Sequence, residues 1–399
     1  MQVELPLFGY TATPLGQDSA RDSFLKQELL RILEEYGNHP SFCMMCMGNE
    51  LRGDYGLLTE FVELGKSVDG RRLYSAAANN AAEAGVGIRP NKGDEYYVAH
   101  EARINGERVM RRCEAVFNNE KPETISDYNQ SLTGINIPTI SHEVGQWEVY
   151  PNFDEIKKYT GVLKAKNFEV FKESLKSKQL LHKNKDFVNA SGKLAVLLYR
   201  EEIERSLRTA EYGGFQLLDM HDFPGQGTAL VGWLDAFWDS KGLVKPHEFR
   251  NWCNHTVLLA RMEKRVWLNN EVFSVCVDLA NYSCNNYFQF YIDWSLSDMD
   301  GNKYSEGKFE NNNIAPQGCL SHVGTARVEL SSIKTASKLI FKVESEGIKC
   351  ENQWEIWVYP ADIGASIHED IFISDFWGDD GFFQKTEKFA ISSLLKHIT

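Results

Sequence analysis

The sequence has no run of about 18 consecutive apolar residues, so we expect no membrane-spanning helix and no membrane partner. It also has no excess of positive charge, because its 399 residues carry a formal net charge of −13. Such acidity argues against nonspecific binding to nucleic acid. The amino-terminal residues lack both the basic start and the long apolar segment of a signal peptide.

Paired metal-binding motifs are missing as well. Cys43 and Cys46 form a CxxC, but no second CxxC and no nearby histidine pair accompanies it. The spacing therefore favours buried structural thiols over a zinc or redox site. We expect the protein to need no cofactor and no metal ion.

The interpretation of the remaining sequence starts from one apolar stretch, residues 41–47. It lies between Pro40 and Gly48, which is typical of a strand buried on both faces of a parallel sheet. Asn49 and Glu50 follow at once. A carboxylate at the carboxyl end of a buried parallel strand is where α/β barrels carry out chemistry. The alternative is a solvated loop glutamate after a core strand.

Strands and helices alternate up to about residue 240, which indicates a parallel sheet with crossover helices. The predicted strands span residues 3–9, 41–47, 72–78, 96–100, 137–141 and 215–221. We interpret residues 1–242 as the carboxyl-terminal part of a TIM barrel, an incomplete (β/α)8 barrel with about six of its eight strands. The other two strands would precede Met1.

The pattern changes after residue 242. Apolar and polar residues alternate in several segments between 246 and 360, and turns separate them. This period of two predicts an antiparallel, Ig-like β-sandwich, so the fold class is α/β followed by all-β. Residues 361–399 form a tail, strand-like at 371–375 and helix-like at 386–397, which we expect either to pack on the sandwich or to begin a further domain.

Two carboxylates, Glu50 and Glu143, each follow a predicted strand of the parallel sheet. They come from different strands, so they can face each other across one rim. Such a pair is what cleavage of a glycosidic bond needs, since one group protonates the leaving oxygen and the other attacks the anomeric carbon or activates water.

Other side chains are predicted at the same rim, each with a structural alternative. Asn49 and His142 can hydrogen-bond sugar hydroxyls or support a carboxylate, and Trp147 can be a sugar platform or a core residue. The remaining predicted substrate-binding residues are Tyr10, Asn79, His221, Asp222 and Gln226. For Asn79, Asp222 and Gln226 the alternative is a turn or a Gly-rich loop with a capping Asp. The pair Glu201-Glu202 is interpreted as a solvated helix face.

The segment Asn38-His-Pro-Ser-Phe42, together with Gly48-Asn-Glu50, resembles the acid/base segment of glycoside hydrolase family 2. This family includes β-galactosidases, β-glucuronidases and β-mannosidases. The helix before the segment and the strand Glu4-Leu-Pro-Leu-Phe-Gly9 resemble that family too. The resemblance covers roughly residues 1–240 and implies that Glu50 is the acid/base and that Asn49 binds the sugar 2-hydroxyl.

The resemblance also implies a function. Glu143 matches the nucleophile's strand position, although Val144-Gly145 follows it where family members have an aromatic residue and Gly. The implied activity is retaining hydrolysis of a terminal β-linked sugar from an oligo- or polysaccharide, as in a β-galactosidase. Alternatives are a truncated, non-catalytic carbohydrate-binding remnant and a related hydrolase that cleaves within a polysaccharide. The compartment stays open, and the resemblance favours a periplasmic or secreted protein with any export signal upstream.

Overall fold

The computed structural model describes residues 1–9, 14–78, 90–99, 103–104, 107–108, 121–223, 226–362, 371–374 and 389–392. Its described α-helices are α1 (Ser19–Tyr36), α2 (Tyr55–Val68), α3 (Lys166–Ser177), α4 (Asn184–Leu207) and α5 (Pro246–Trp252). Short 3-10 helices lie at Asn129–Leu132, Phe153–Lys158 and Leu181–Lys183. None of the helices described has the length and apolarity needed to cross a membrane.

Six short strands form the amino-terminal parallel sheet. They are β1 (Gln2–Glu4), β2 (Met44–Cys46), β3 (Leu73–Ser75), β4 (Tyr97–Ala99), β7 (Thr139–Gly145) and β8 (Tyr212–Leu218). Strands β1, β2 and β3 pair in parallel, as do β4, β7 and β8, and a parallel bridge from Ala78 to Val98 links the two groups. The predicted run of six parallel strands is therefore confirmed.

The sheet curls until its last strand approaches its first. The side-chain amide of Gln216 in β8 donates a hydrogen bond to the side-chain oxygen of Gln2 in β1, at 3.3 Å. Between β4 and β7, the two-residue strands β5 (Arg103–Ile104) and β6 (Glu107–Arg108) pair antiparallel. The further inference that the six strands belong to an eight-stranded barrel stays a prediction.

Helices α1 and α2 cover one face of this sheet. The carboxylate of Asp18 accepts from Arg21 N at the start of α1, and that of Asp54 accepts from Gly56 N and Leu57 N at the start of α2. Such caps satisfy amide groups that have no partner inside the helix. The apolar residues of both helices pack on β2 and β3 in one cluster, which includes Leu25, Leu29, Leu33, Leu58, Phe61, Met45 and Tyr74.

A β-sandwich follows, made of two sheets around one core. Its strands are β9 (Thr256–Arg261), β10 (Val266–Leu268), β11 (Val272–Asn281), β12 (Phe290–Asp298), β13 (Lys303–Asn311), β14 (Cys319–Glu329), β15 (Ser337–Ser345) and β16 (Cys350–Tyr359). The sheet orders are β14-β11-β9 and β10-β16-β15-β12-β13. The pairs are antiparallel as predicted, except that β10 pairs with β16 in parallel.

The tail differs from its prediction. Two short strands, β17 (Ile371–Ser374) and β18 (Phe389–Ser392), pair in parallel. Strand β18 lies where the sequence predicted a helix, so that prediction was wrong. Its residues Phe389-Ala-Ile-Ser392 fit either structure, because a short apolar run does not distinguish a strand from a buried helix segment. The domain limits 1–242, 246–360 and 361–399 remain predictions.

A buried ionic network joins α4 to the sandwich. The fully buried Glu204 carboxylate accepts from Arg200 Nε at 2.8 Å and from the indole N–H of Trp354 in β16 at 2.8 Å. Asn352, also in β16, donates to it at 3.2 Å. Burial by itself would raise the pKa of Glu204, but Arg200 and Arg208 hold it below its ordinary value. The carboxylate therefore stays ionised inside the protein.

The same network corrects the interpretation of Glu201 and Glu202 as a solvated pair. Both are 4% exposed. Glu201 binds the buried guanidinium of Arg208 at 2.7 Å, and Glu202 accepts from the hydroxyl of Tyr128. Their partners lie far along the chain or about two helical turns away, so a charge run in the sequence did not indicate their burial.

We predict that Glu204→Gln lowers the free energy of unfolding by about 3 kcal/mol, because it leaves buried cations without their counter-charge. Urea unfolding of the full chain measures this loss. The matched control is Asp293→Asn, which removes the exposed ion pair with Lys308. That change is expected to cost about 1 kcal/mol or less. Equal effects of the two substitutions would contradict the role assigned to Glu204.

Candidate functional site

Glu50 lies just beyond β2, on the edge of the sheet where its parallel strands end. Asn49 forms parallel bridges with Phe8 on one side and with Ala78 on the other. The amide of Glu50 then donates to the Ala78 carbonyl at 2.9 Å. Glu50 is 6% exposed, and its φ of +52° is in the left-handed region. A glutamate rarely adopts that conformation, and the surrounding structure has to hold it there.

Gly9 allows the chain after β1 to run against Glu50. The amide of Gly9 donates to the carbonyl of Asn49 at 2.9 Å. A Cβ atom added to Gly9 would overlap the carbonyl oxygen of Glu50. The close approach of these two backbones therefore requires glycine at this position.

Glu143 lies inside β7, at a break in its pairing with β8. Ser141 pairs with Phe215 and Val144 pairs with Leu217, so two residues of β7 oppose a single residue of β8. This bulge contains His142 and Glu143. A bulge kinks its strand and redirects a side chain, and bulges are common next to active sites. The φ of Glu143 is +51°, so it shares the left-handed conformation of Glu50.

His142 accompanies Glu143 in the bulge. It is 8% exposed, and its Nδ1 lies 3.8 Å from Glu143 Oε1. The Glu143 side chain is 15% exposed, so solvent or a small molecule can reach it. The sheet order β2-β3-β4-β7 puts two strands between Glu50 and Glu143. Glu50 follows the end of β2, whereas Glu143 lies two residues before the end of β7.

Tyr199 of α4 supports the backbone that follows Glu143. Its hydroxyl accepts from the amide of Gln146 at 3.3 Å and lies 3.0 Å from the carbonyl oxygen of Leu218 and 3.2 Å from that of Val231. It thereby connects the ends of β7 and β8 with the loop after β8. Its ring also fills the space beside Gly145, where an added Cβ would overlap the ring.

The segment after β8 contains two of the predicted residues. The His221 ring donates from Nδ1 to the Asp222 carbonyl at 2.5 Å and packs on the Trp238 ring, with 4.5 Å between centroids. The Asp222 carboxylate is buried and binds Lys241 Nζ at 2.5 Å. Burial raises its pKa, although Lys241 opposes that shift. Asp222 is therefore a structural ion-pair partner in this structure.

The other predicted binding residues have different surroundings. Trp147 is 8% exposed and packs edge-on against Tyr199 in the core, so its ring is not an open platform. Gln226 is exposed in a turn whose backbone bonds involve Phe223 and Ala229. Tyr10 and Asn79 lie outside the described residues.

Asn49 remains a possible ligand contact on geometric grounds. Its side-chain oxygen is buried, and within the described ranges no donor hydrogen-bonds to it. Buried polar atoms nearly always have a partner, so an unpartnered acceptor beside Glu50 fits a site that binds a hydroxyl group.

Sequence reasoning missed Trp238, Lys241 and Tyr199. Their importance depends on contacts between segments that are far apart in the chain, and no local pattern indicates such contacts. Among the described residues, no cluster of three or more His, Cys, Asp or Glu side chains could hold a metal ion. The described cysteines, including Cys43 and Cys46, are free thiols.

Comparisons with known proteins give a partial result. Residues 271–360, less than a quarter of the chain, match the family model described as "Domain of unknown function (DUF8488)". No curated protein matches the chain. Similar solved structures include the exo-chitosanase CsxA of Amycolatopsis orientalis, with 14% identity and a TM-score of 0.45 over 86% of this chain and 39% of that chain.

Two further similar structures come from Bacteroides uniformis. Its β-glucuronidase has 13% identity and a TM-score of 0.37, over 90% of this chain and 39% of that chain. Its β-glucuronidase 3 has 13% identity and a TM-score of 0.39, over 90% and 42%. The chain spans less than half the length of these enzymes. At such scores, a superposition does not identify the activity of this chain.

We predict that Gly9→Ala displaces the Glu50 segment and lowers the free energy of unfolding by about 1–3 kcal/mol, because the new methyl group overlaps the Glu50 carbonyl. Chemical denaturation measures the change. Gly161→Ala is the control, since no heavy atom lies within 4 Å of its added Cβ. If both variants unfold like the wild type, the close backbone approach at Gly9 is disproved.

A pH effect is expected from Glu155, which is 6% exposed beside Asp222 and Lys241. Burial raises its pKa to about 7, so the folded state holds its proton more tightly than the unfolded state. The free energy of unfolding should therefore fall as the pH rises from about 4.5 to about 7, by an amount on the order of 3 kcal/mol from this group. Denaturation at several pH values measures the slope.

Glu155→Gln should reduce that slope, because glutamine does not ionise. The exposed Glu169→Gln, which disrupts the surface pair with Lys166, is the control and should keep the slope. A Glu155→Gln protein with the slope of the wild type would show that Glu155 does not titrate in this range.

Proposed function

We propose that this chain is the catalytic part of a retaining glycoside hydrolase that releases a terminal β-linked sugar, as a β-galactosidase does. Glu50 is the acid/base and Glu143 the nucleophile. The observation that carries the proposal is the shared left-handed backbone conformation of these two glutamates, one just beyond β2 and the other near the carboxyl end of β7.

Most of the other described non-glycine residues with this left-handed conformation are exposed. The described non-glycine residues with positive φ are Glu50, Glu143, Gln146, Gln179, Glu211, Trp238, Gln289 and Lys349. The last five are exposed, whereas Glu50 is buried and both Glu143 and its neighbour Gln146 are partly buried. Exposed turns adopt this conformation readily, but in a buried carboxylate it costs free energy and suggests a functional constraint.

The proposed reaction has two steps. Glu143 attacks the anomeric carbon, and the bond to the leaving oxygen breaks as Glu50 donates its proton to that oxygen. Glu50, now ionised, then takes a proton from water, whose oxygen attacks the anomeric carbon and releases Glu143. This mechanism requires carboxyl groups about 5–5.5 Å apart, close enough for direct attack on the sugar.

Neighbouring side chains have supporting roles in the proposal. The buried oxygen of Asn49 would accept a hydrogen bond from the sugar 2-hydroxyl. His142 would influence the charge and orientation of Glu143, from which its Nδ1 is 3.8 Å away. The proposal does not require Asp222, because Lys241 already binds its carboxylate.

We predict that a panel of 2-deoxy-2-fluoroglycosides labels the protein covalently on Glu143 and that Glu143→Gln abolishes the label. The electron-withdrawing fluorine slows both steps, and an activated leaving group on each reagent keeps the first step faster than the second, so the glycosyl-enzyme accumulates. Intact-protein mass spectrometry followed by peptide mapping measures the label. The control is Glu148→Gln, an exposed glutamate five positions along the chain, which should label like the wild type.

Absence of label from every sugar on a folded sample would reject the retaining mechanism. It would favour the alternative that the chain is a carbohydrate-binding remnant or an inverting relative. Inversion would also require a larger separation of the carboxyl groups, about 6.5–9.5 Å.

A further inference from the structure

Trp238 presents an exposed aromatic ring next to the strand ends. It is 62% exposed. The His221 ring supports it, with 4.5 Å between centroids and an interplanar angle of 56°. Its φ of +68° is in the left-handed region, as in the other exposed turns of the described chain that share this conformation.

Hydrogen bonds to the buried Asp235 carboxylate fix the turn that contains Trp238. The Asp235 carboxylate accepts from the amides of Phe237 at 2.9 Å and Asp239 at 3.0 Å. Asp235 is 2% exposed and forms an ion pair with Lys158. The exposure of Trp238 is therefore a consequence of an ordered turn.

The position of this turn connects it to the candidate active site. The amide of Trp233 donates to the Met220 carbonyl at 3.0 Å, and that of Asp222 donates to the Leu234 carbonyl at 3.0 Å. The turn thus runs beside the segment that leaves β8. Strand β8 pairs with β7, which contains Glu143.

The charges around the ring indicate what it can bind. The Asp219 carboxylate lies 3.9 Å from His221 Nε2, and its side chain is 28% exposed. The nearby cations are paired with carboxylates: Lys241, which is 6% exposed in its side chain, with Asp222, and Lys158, which is 29% exposed, with Asp235 and Asp239. The surface beside Trp238 thus offers a flat apolar face, a carboxylate and an imidazole.

We propose that Trp238, backed by His221, is a platform for the apolar face of a pyranose ring and that it selects neutral β-linked oligosaccharides over those containing uronic acids. The aromatic face provides contact area, and Asp219 accepts hydrogen bonds from hydroxyl groups. Asp219 and Glu143 would repel a uronate carboxylate. This inference rests on the proposed function, because it assigns the substrate class of the same site.

The test is isothermal titration of the full chain with four tetrasaccharides. Three are neutral β-1,4-linked chains of glucose, galactose and mannose, and the fourth is a hyaluronan tetrasaccharide, which contains glucuronate. We expect at least one neutral chain to bind and the hyaluronan chain to bind more weakly. Trp238→Ala should weaken neutral binding about tenfold, the factor expected for loss of one aromatic stacking contact.

Two further variants make the result specific. Trp238→Phe keeps a smaller ring and should recover part of the affinity. Trp357→Ala is the matched control, since Trp357 is a partly exposed tryptophan in the sandwich with Lys338 above its ring at 5.8 Å. It should bind like the wild type. Circular dichroism checks that each variant is folded.

The outcomes separate the platform from the proposed function. Binding that depends on Trp238, with fluoroglycoside labelling of Glu143, supports both. Binding that depends on Trp238 without any labelling supports the platform and rejects the hydrolase. Unchanged affinity in Trp238→Ala, no binding of any neutral chain, or stronger binding of hyaluronan would each overturn the platform proposal.

Discussion

The buried carboxylate of Glu204 is the interaction on which the arrangement of the two halves depends. It lies on α4, which packs on the parallel sheet, and it accepts hydrogen bonds from Trp354 and Asn352 of the sandwich. Buried ion pairs stabilise weakly by themselves, because desolvation offsets most of the attraction. Their directional bonds fix orientation instead, so Glu204 determines how the sandwich meets the helix.

The same helix fixes the candidate site. Tyr199 precedes Glu204 by five residues, and its hydroxyl bonds to the backbone at the ends of β7 and β8. A helix turns by about 100° per residue, so Tyr199 and Glu204 face different neighbours. One rigid element therefore positions both the Glu143 strand and the sandwich. A change in the contact between α4 and the sandwich should therefore alter the candidate site through α4.

The six parallel strands and the position of Glu50 just after β2 could be predicted from the sequence, because local patterns indicate them. Apolar runs such as residues 41–47 end sharply, and the next polar residue falls at the sheet edge. The sequence did not indicate the surroundings of Asp222, Trp147 or Glu201. Lys241, Tyr199 and Arg208 decide their surroundings, and contacts of this kind depend on the complete fold. Backbone angles at Glu50 and the bulge at Glu143 are likewise set by tertiary packing.

The unfavourable conformation of Glu50 persists because its neighbours fix it from both sides. Met47 is 1% exposed and Leu51 is fully buried, and both belong to the core that α1 and α2 cover. On the other side, the backbone of Gly9 packs directly against the backbone of Glu50. Relaxing Glu50 would require withdrawing buried apolar side chains, at about 1.5–3 kcal/mol each. Moving both Met47 and Leu51 would therefore cost more free energy than the roughly 1–3 kcal/mol of backbone strain at Glu50. Core packing therefore holds Glu50 in its left-handed backbone conformation.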